Sequence, residues 1–343
     1  MTSKLGIKWA PIFGLPLKRR LQTAAVMHYP LGLIFVPFLS LFLAYYLLMT
    51  IIWWIVPAYL AWMVYDIAIC KTSSRGGRRI EYFRHLKIWK YFRDYFPITL
   101  IKTADLDPSR NYIMGSHPHG ILGCGAFCNF ATEANNVSKV FPGITPHILT
   151  LISNFNWPIV RGYIMWLGIC DVSKESIKWI LTKKGQGQAA IIVVGGAQEA
   201  LDARPNNYIL TLKNRKGFVK LALQQGASLV PIYSFGENDL FNQAPNPHGS
   251  RLRKFQILFK KLSGIAPAFF YGRGVFNYTF GFVPHRKPVR TVVGKPIYLE
   301  KEPNPTKERI NEVHQQYMDG LTRIFEDYKE KFGVDKDTKL EFV

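Results

Sequence analysis

A long stretch without a single charged residue is the feature that most constrains how this chain can fold. It runs from Leu31 to Tyr65 and consists almost entirely of apolar and aromatic side chains. One membrane crossing needs about 20 such residues, so the stretch is long enough for two. We therefore predict an N-terminal transmembrane or re-entrant hairpin of two helices, roughly 31–48 and 51–69, with a turn near Met49 and Thr50. A pair of buried core helices is the alternative, but the stretch is unusually long and uniform for that.

The segments that flank this stretch are basic on both sides. The cations that precede it are Lys18, Arg19 and Arg20, and those that follow it are Lys71, Arg75, Arg78 and Arg79. Positive charge marks the cytosolic side of a membrane segment, and a hairpin returns the chain to the side that it left, so both observations place the flanks in the cytosol. Trp53 and Trp54 lie near the predicted turn, which leaves open whether the hairpin spans the bilayer or dips into it.

These observations divide the chain into four segments. They are a cytosolic N-terminal segment 1–30, a membrane hairpin 31–70, an amphipathic interfacial connector 71–99 and an α/β domain 100–343. The connector contains basic and aromatic residues at helical spacing, "RRIEYFRHLKIWKYFRDYFP". This pattern is typical of a helix on a membrane surface, and a helix packed on the domain fits it equally well.

The net charge of +21 restricts the partners of the chain. Nucleic acid, an anionic membrane and an anionic substrate would each suit such a charge. No nucleic-acid-binding motif is found, so we expect no nucleic-acid partner and assign most of the charge to contact with anionic membrane lipid. The four cysteines are too few for a disulfide framework in a chain of this length, which agrees with a reducing cytosolic environment.

Beyond residue 100, apolar segments of strand length alternate with amphipathic helical segments. "NYIMGS", "AAIIVVGG" and "ASLVPIYSFG" have the pattern of buried strands, and "SKESIKWILTKKG" and "RKGFVKLALQQG" have that of helices. This alternation predicts an α/β fold with a largely parallel sheet flanked by helices. "SRLRKFQILFKKLSG" is a further amphipathic helix with apolar residues on one side.

The first candidate for chemistry is the sequence His117-Pro118-His119-Gly120, which follows the strand "NYIMGS". Parallel strands present their carboxyl ends at the ligand side of a sheet, so these histidines should face a cleft. Imidazole titrates near neutral pH and suits a general base that takes a proton from an alcohol. Core or turn histidines are the more ordinary outcome of such a pair. A zinc site with Cys124 and Cys128 is the other alternative, although the spacing matches no usual zinc pattern.

A second predicted strand ends at Gly195-Gly196, and Glu199 follows three residues after Gly196. A carboxylate at this strand end could reach His119, fix its tautomer and stabilise the imidazolium. The glycines expose backbone N–H groups that could hold an oxyanion, although Glu199 could equally be a first-turn helix acid.

Two further positions are candidates for contact with substrate. Asn238 follows a third strand end, where it could belong either to a pocket wall or to a turn. Arg273 lies between two glycines, a pattern that is typical of a phosphate site or of a loop. A serine-hydrolase elbow, a P-loop and a dinucleotide motif are all absent from the sequence. A histidine and a carboxylate without a covalent nucleophile favour direct attack by a substrate hydroxyl on an activated acyl group.

Taken together, these segments resemble the type-2 diacylglycerol acyltransferase family, most closely its monoacylglycerol branch. The matching stretches are "DYFP", "HPHG", "FPGITPH", "VVGGAQEAL", "RKGFVKLAL", "VPIYSFGEND" and "VVGKPI", in chain order. The resemblance implies a glycerolipid-acyltransferase-like core in an endoplasmic-reticulum membrane enzyme with a cytosolic catalytic domain, and it leaves the lipid-droplet surface open as a further location. It implies acyl transfer from the co-substrate acyl-CoA to monoacylglycerol, with His119 as the base, His117 beside it, Glu199 as partner and no cofactor or metal.

Several alternatives remain at this point. The acceptor could be diacylglycerol or a long-chain (wax) alcohol instead of monoacylglycerol, and assembly as a homo-oligomer is open. A membrane-shaping hairpin protein without activity would need the hairpin but not the cluster of polar residues at the strand ends. A lipid hydrolase would release free fatty acid without an acceptor.

Overall fold

The structure is a computed structural model that describes residues 6–11, 13–247, 249–263 and 267–343. Residues 1–5 and 12 of the predicted N-terminal segment lie outside the described residues. The same holds for residues 248 and 264–266 of the predicted α/β domain.

Two helices occupy the N-terminal part of the chain. Helix α1 spans Leu17–Leu48, and α2 spans Ile55–Tyr65 and continues in a wider turn to Cys70. The first helix begins earlier than residue 31 because residues 17–29 are mostly good helix formers. Pro30 and Pro37 lie inside α1, and its two parts, Leu17–Gly32 and Ile34–Leu48, meet at 66°. Proline removes a helical hydrogen bond, which accounts for a bend.

None of the described helices is by itself both long and apolar enough to cross a membrane, whereas the two bent parts of α1 together reach that length and composition. The distal part of α1 and the turn after it expose their apolar side chains. Phe38 is 66% exposed, Phe42 65% and Ile51 92%. A continuous apolar surface of this kind is typical of contact with a membrane or a partner.

The rest of the chain forms short helices and one main sheet. The helices are α3 Glu81–Arg84, α4 Lys87–Tyr95, α5 Cys124–Ala126, α6 Val137–Val140, α7 Val160–Trp166, α8 Lys174–Lys183, α9 Gly196–Ala200, α10 Gly217–Gln225, α11 Arg251–Ser263 and α12 Lys307–Tyr328. The strands are β1 Thr99–Lys102, β2 Tyr112–His117, β3 Thr145–Thr150, β4 Cys170–Asp171, β5 Gln188–Val193, β6 Ile209–Leu210, β7 Ser228–Phe235, β8 Asn242–Gln243, β9 Phe270–Tyr271, β10 Arg290–Val293 and β11 Glu341–Phe342.

The main sheet has seven strands in the order β1-β10-β7-β2-β5-β3-β4. All neighbours are parallel except β10 and β7. The prediction of an α/β fold with a largely parallel sheet is therefore confirmed. Strand β10 is the exception because an irregular stretch, and not a crossover helix, leads into it, whereas parallel neighbours need a crossover. The other strands form two small pairs, β11 with β6 and β8 with β9.

Helix boundaries follow the capping residues. The Ser173 side chain accepts the Ser176 N–H at the start of α8, and Thr306 does the same for Arg309 at the start of α12. Side-chain oxygens at these positions satisfy N–H groups that have no partner within the helix. Gly226 ends α10 with a φ of 67°, a left-handed conformation that favours glycine.

Apolar cores lie on both faces of the sheet. One face packs against α1, α4 and the segment around Phe127, and the other against α8, α10 and α12. Side chains of β2 alternate between them: Met114 belongs to the first core and Ile113 to the second. In the connector, Trp89 and Phe92 of α4 are buried in the first core, so α4 packs on the domain, as one of the two interpretations of its sequence held.

Candidate active site

The candidate site forms where three parallel strands end side by side. Strand β2 lies between β5 and β7 and runs parallel to both. After β2 the chain turns at Pro118, which follows a cis peptide bond, and leads through His119 and Gly120 into α5. Because the flanking strands end at the same edge, the residues that follow them can reach this loop from either side.

His119 has the geometry of a base with one free nitrogen. The ring is half-buried, and Nδ1 lies 3.0 Å from the carbonyl oxygen of Gly120. A carbonyl only accepts, so Nδ1 carries the proton and donates, which leaves the lone pair on Nε2. Nε2 makes no hydrogen bond within the part of the chain that the structure describes. Burial lowers the pKa of His119, and the Gly120 carbonyl opposes this shift only in part.

Glu199 meets residue 119 at its backbone and not at its imidazole. The carboxylate is buried, and Oε1 accepts the His119 N–H at 2.6 Å while Oε2 accepts the Thr211 N–H at 2.8 Å. Burial raises the pKa of Glu199 to about 7, against the effect of the two N–H groups. The two residues therefore come together across eighty positions of sequence, but it is the Gly120 carbonyl that fixes the tautomer of the ring.

A second buried carboxylate, Glu237, holds the same loop from the other side. Its two oxygens accept the N–H groups of Cys124 and Gly125, each at 2.8 Å. Burial raises the pKa of Glu237 to about 7. A side chain at Gly120 would lie 2.7 Å from Cγ of Glu237, so glycine is needed there to leave room for the Glu237 side chain. The sequence analysis singled out the neighbouring Asn238 at this strand end and not Glu237. The signal that it missed is that each strand beside β2 is followed within six residues by glycine and then glutamate: Gly195, Gly196 and Glu199 after β5, and Gly236 and Glu237 after β7.

His117 points into the second core, which packs against α8, α10 and α12 and contains Tyr317. Its side chain is fully buried, and Nε2 lies 3.1 Å from the Tyr317 hydroxyl, which also donates to the Gly115 carbonyl at 3.0 Å. Burial lowers the pKa of His117 to about 3, so the ring is neutral at physiological pH. The contacts of His117 in the structure are those of a core residue.

The other predicted site residues fall into two places. Gly195 is beside the loop: a side chain there would lie 2.3 Å from Oε2 of Glu199, and its φ of 91° favours glycine, whereas the space beside Gly196 is open. The Asn238 amide donates to the Asn207 carbonyl at 2.8 Å and so braces a neighbouring loop. Arg273 belongs to a separate basic cavity near the start of α1, which is described below.

The two histidines and two cysteines of the zinc alternative do not converge. His117 faces Tyr317, and Cys124 and Cys128 are buried in the other core. Within the described residues, no three histidine, cysteine, aspartate or glutamate side chains are placed to hold a metal ion.

Comparisons with known proteins bear out the resemblance that the motifs indicated. A family model described as diacylglycerol acyltransferase matches residues 45–343. The chain is 47% identical over 336 residues to 2-acylglycerol O-acyltransferase 1 of Bos taurus, covering 98% of this chain and 99% of that one. It is also 47% identical over 326 residues to diacylglycerol O-acyltransferase 2 of Homo sapiens, covering 95% of this chain and 83% of that one.

Among solved structures, the 1-acyl-sn-glycerophosphate acyltransferase PlsC of Thermotoga maritima is similar at a TM-score of 0.41 and 12% identity. It covers 91% of this chain and 98% of its own, but a likeness this low supports no argument about function. The family is instead shown by the match to the family model and by the near full-length identity to two curated members. The chain is an acyltransferase and belongs to the diacylglycerol acyltransferase family.

Proposed function

We propose that this enzyme transfers a fatty acyl group from acyl-CoA to the hydroxyl of monoacylglycerol, with diacylglycerol as a second acceptor. The names of the relatives support acylglycerol acceptors of both kinds. Because the identity to a 2-acylglycerol and to a diacylglycerol acyltransferase is the same 47%, similarity alone does not rank the two acceptors.

The observation that supports this chemistry best is the free Nε2 of His119. A neutral imidazole with its proton on Nδ1 presents a lone pair that can take the proton of an acceptor hydroxyl. The hydroxyl oxygen attacks the thioester carbonyl, and the new C–O bond forms as the C–S bond breaks. The proton then passes from Nε2 to the departing CoA sulfur, which leaves His119 neutral for the next cycle. The backbone N–H groups of Gly195 and Gly196 are the candidate donors to the oxyanion.

Glu199 then acts as a positioning residue. Its carboxylate holds the backbone N–H of His119 and not the ring, so it sets where the imidazole stands without taking a proton from it. Thr211 holds the second oxygen, which prevents the carboxylate from rotating toward the ring.

The setting we propose is the cytosolic face of the endoplasmic-reticulum membrane, with access to lipid droplets. The exposed apolar residues at the end of α1 and the net charge of +21 support contact with an anionic bilayer. Helix α11 presents a second such surface, where Phe255, Leu258 and Leu262 are exposed beside lysines. Acceptor and product are lipids, so a site beside these surfaces could exchange them with the bilayer directly.

A competition assay tests the activity. The full chain in neutral detergent micelles receives labelled oleoyl-CoA and equal amounts of monoacylglycerol, diacylglycerol and a long-chain alcohol. We expect diacylglycerol as the main product, and ester formation only from the alcohol would overturn the acceptor class. Free fatty acid formed without any acceptor would indicate a hydrolase instead.

The base is tested with His119→Ala, for which we expect a loss of about 10²–10⁴-fold in turnover with normal folding. His85→Ala is the matched control, because His85 is an exposed histidine whose ring interacts with Glu81. If His119→Ala keeps the wild-type rate, His119 is not the base.

A further inference from the structure

A basic cavity lies between the start of α1 and the segment 273–287, away from the loop of His119. Its volume is about 580 Å³. Five of the described residues that line it are cations, and none carries a carboxylate; the cations are Arg19, Arg20, Arg273, Arg286 and Lys287. A recess with this lining is a binding site for an anion.

Two of these arginines are held in place by neutral partners. Arg286 donates to the Gln22 side-chain oxygen at 2.7 Å, and Arg273 donates to the Thr23 hydroxyl at 3.2 Å. Neither forms an ion pair with any described residue, and Nε of Arg273 is buried without a hydrogen-bond partner. Burial and the nearby Arg19 and Arg273 lower the pKa of Arg286, as expected for a group that shares a partly buried site with like charges.

Aromatic rings lie beside these arginines, and two of the rings line the cavity. The Arg286 guanidinium lies 4.1 Å from the centre of the buried Tyr95 ring, and that of Arg273 lies 5.2 Å from the Tyr278 ring. Phe276 and Tyr278 line the cavity and are 61% and 41% exposed, so both rings are accessible to a ligand. A planar heterocycle stacks on such rings, whereas a simple phosphate or a lipid headgroup has no ring that could stack on them.

Helix α1 connects this cavity to the candidate active site. Thr23 contacts Arg273 at the cavity, and the Tyr29 hydroxyl donates at 3.0 Å to the carbonyl of Leu122, in the loop that follows His119. Six residues of helix separate Thr23 from Tyr29, a rise of about 9 Å. One rigid element therefore holds the two places at a fixed separation, which suits a long ligand that occupies both.

We propose that this cavity binds the phosphorylated nucleotide end of acyl-CoA, while the thioester end reaches His119. This inference rests on the proposed acyl-CoA-dependent activity. The phosphates match the cations and the adenine ring matches the aromatic wall. An anionic phospholipid headgroup shares the phosphate chemistry but lacks the ring, and the test below separates the two.

Binding is measured first, because it does not depend on turnover. The full chain in neutral detergent is titrated calorimetrically with adenosine 3′,5′-bisphosphate. One charge-assisted contact accounts for about tenfold in affinity, so we expect Arg273→Gln and Arg286→Gln each to weaken binding by about tenfold. Lys287→Gln tests the same cavity at an exposed position that should leave folding intact, and Lys220→Gln, exposed on α10, is the control that should bind as wild type.

Two results would overturn the proposal. One is that the wild type does not bind the nucleotide, and the other is that the three variants bind it as tightly as the wild type. In the second case, a loss of binding to phosphatidate-containing vesicles by the same variants would assign the cavity to a lipid headgroup.

Kinetics provide a second, independent measurement. For Arg273→Gln we expect KM for oleoyl-CoA to rise about tenfold, and the difference from wild type to fall below about twofold with oleoyl-pantetheine, which lacks the nucleotide. Equal damage with both thioesters would refute the assignment. If the wild type transfers no acyl group to any acylglycerol, the proposed function fails, and the nucleotide titration still decides what the cavity binds.

Discussion

Replacing Glu237 by glutamine should remove a measurable part of the pH dependence of stability. The carboxyl is buried, and its pKa is raised from 4.5 to about 7 because burial penalises the charged form. In an unfolded chain the group would titrate near its ordinary value. Between these two values the folded protein therefore holds a proton that the unfolded chain has released, and folding stability falls as pH rises.

The size of the effect follows from the same shift. The difference between 4.5 and about 7 corresponds to about 3 kcal/mol of unfolding free energy, present below pH 4.5 and lost as pH rises through 7. At about 1.4 °C per kcal/mol for a chain of this size, Glu237 alone should lower Tm by roughly 4 °C between pH 4.5 and pH 8. Glu199, also raised to about 7, should contribute a similar amount.

The assay is thermal unfolding of the full chain in detergent at a series of pH values between 4.5 and 8. Glu237→Gln also loses an acceptor for one of the two N–H groups, which lowers Tm at every pH. The informative quantity is therefore the slope of Tm against pH, which should be shallower than for wild type. Glu330→Gln, at an exposed position, should run parallel to wild type. Parallel curves for Glu237→Gln and wild type would refute the argument.

Three further outcomes follow from the buried polar groups. Because the pKa of His119 is lowered, kcat/KM should stay level down to pH 6.5 and decline only below it, and a decline centred above 6.5 would contradict its role as base. Tyr317→Phe removes the hydroxyl next to His117 and should cost about 2 kcal/mol of unfolding free energy in a denaturant titration, where no change would show that the contact is unimportant. Nη1 of the fully buried Arg161 lies 2.5 Å from Asp66, although the two groups are not aligned as a hydrogen bond. Asp66→Asn removes this counter-charge of Arg161. It should cost about 3–5 kcal/mol, and an unchanged Tm would exclude this ion pair as an anchor of α2.

The strand pattern predicted the meeting of His119 and Glu199, because residues that follow neighbouring parallel strands share one edge of the sheet. It could not predict which atoms would meet. Whether a carboxylate reaches the ring or the backbone N–H depends on the dihedral angles of a short loop, and the sequence does not report these. The choice matters, since the proposed role of Glu199 as a positioning residue depends on it.

Composition alone could not place the connector. The basic and aromatic residues around Trp89 and Phe92 fit a membrane surface and a protein core equally well, and only the packing against α1 shows that both are buried. Likewise, the pattern of β10 is that of any buried strand, and its antiparallel direction follows from the irregular path before it. Glu237 was missed because a glutamate after a glycine also fits an ordinary turn.

The two glutamates that grip the loop after β2 have a consequence for biosynthesis. Translation delivers His119 first, Glu199 eighty residues later and Glu237 later still, with β7 just before it. A growing chain that has emerged from the ribosome only as far as His119 contains the imidazole but neither of the two glutamates that hold its loop. Catalytic competence should thus arise abruptly and late, after the apolar helices α1 and α2 have already been synthesised.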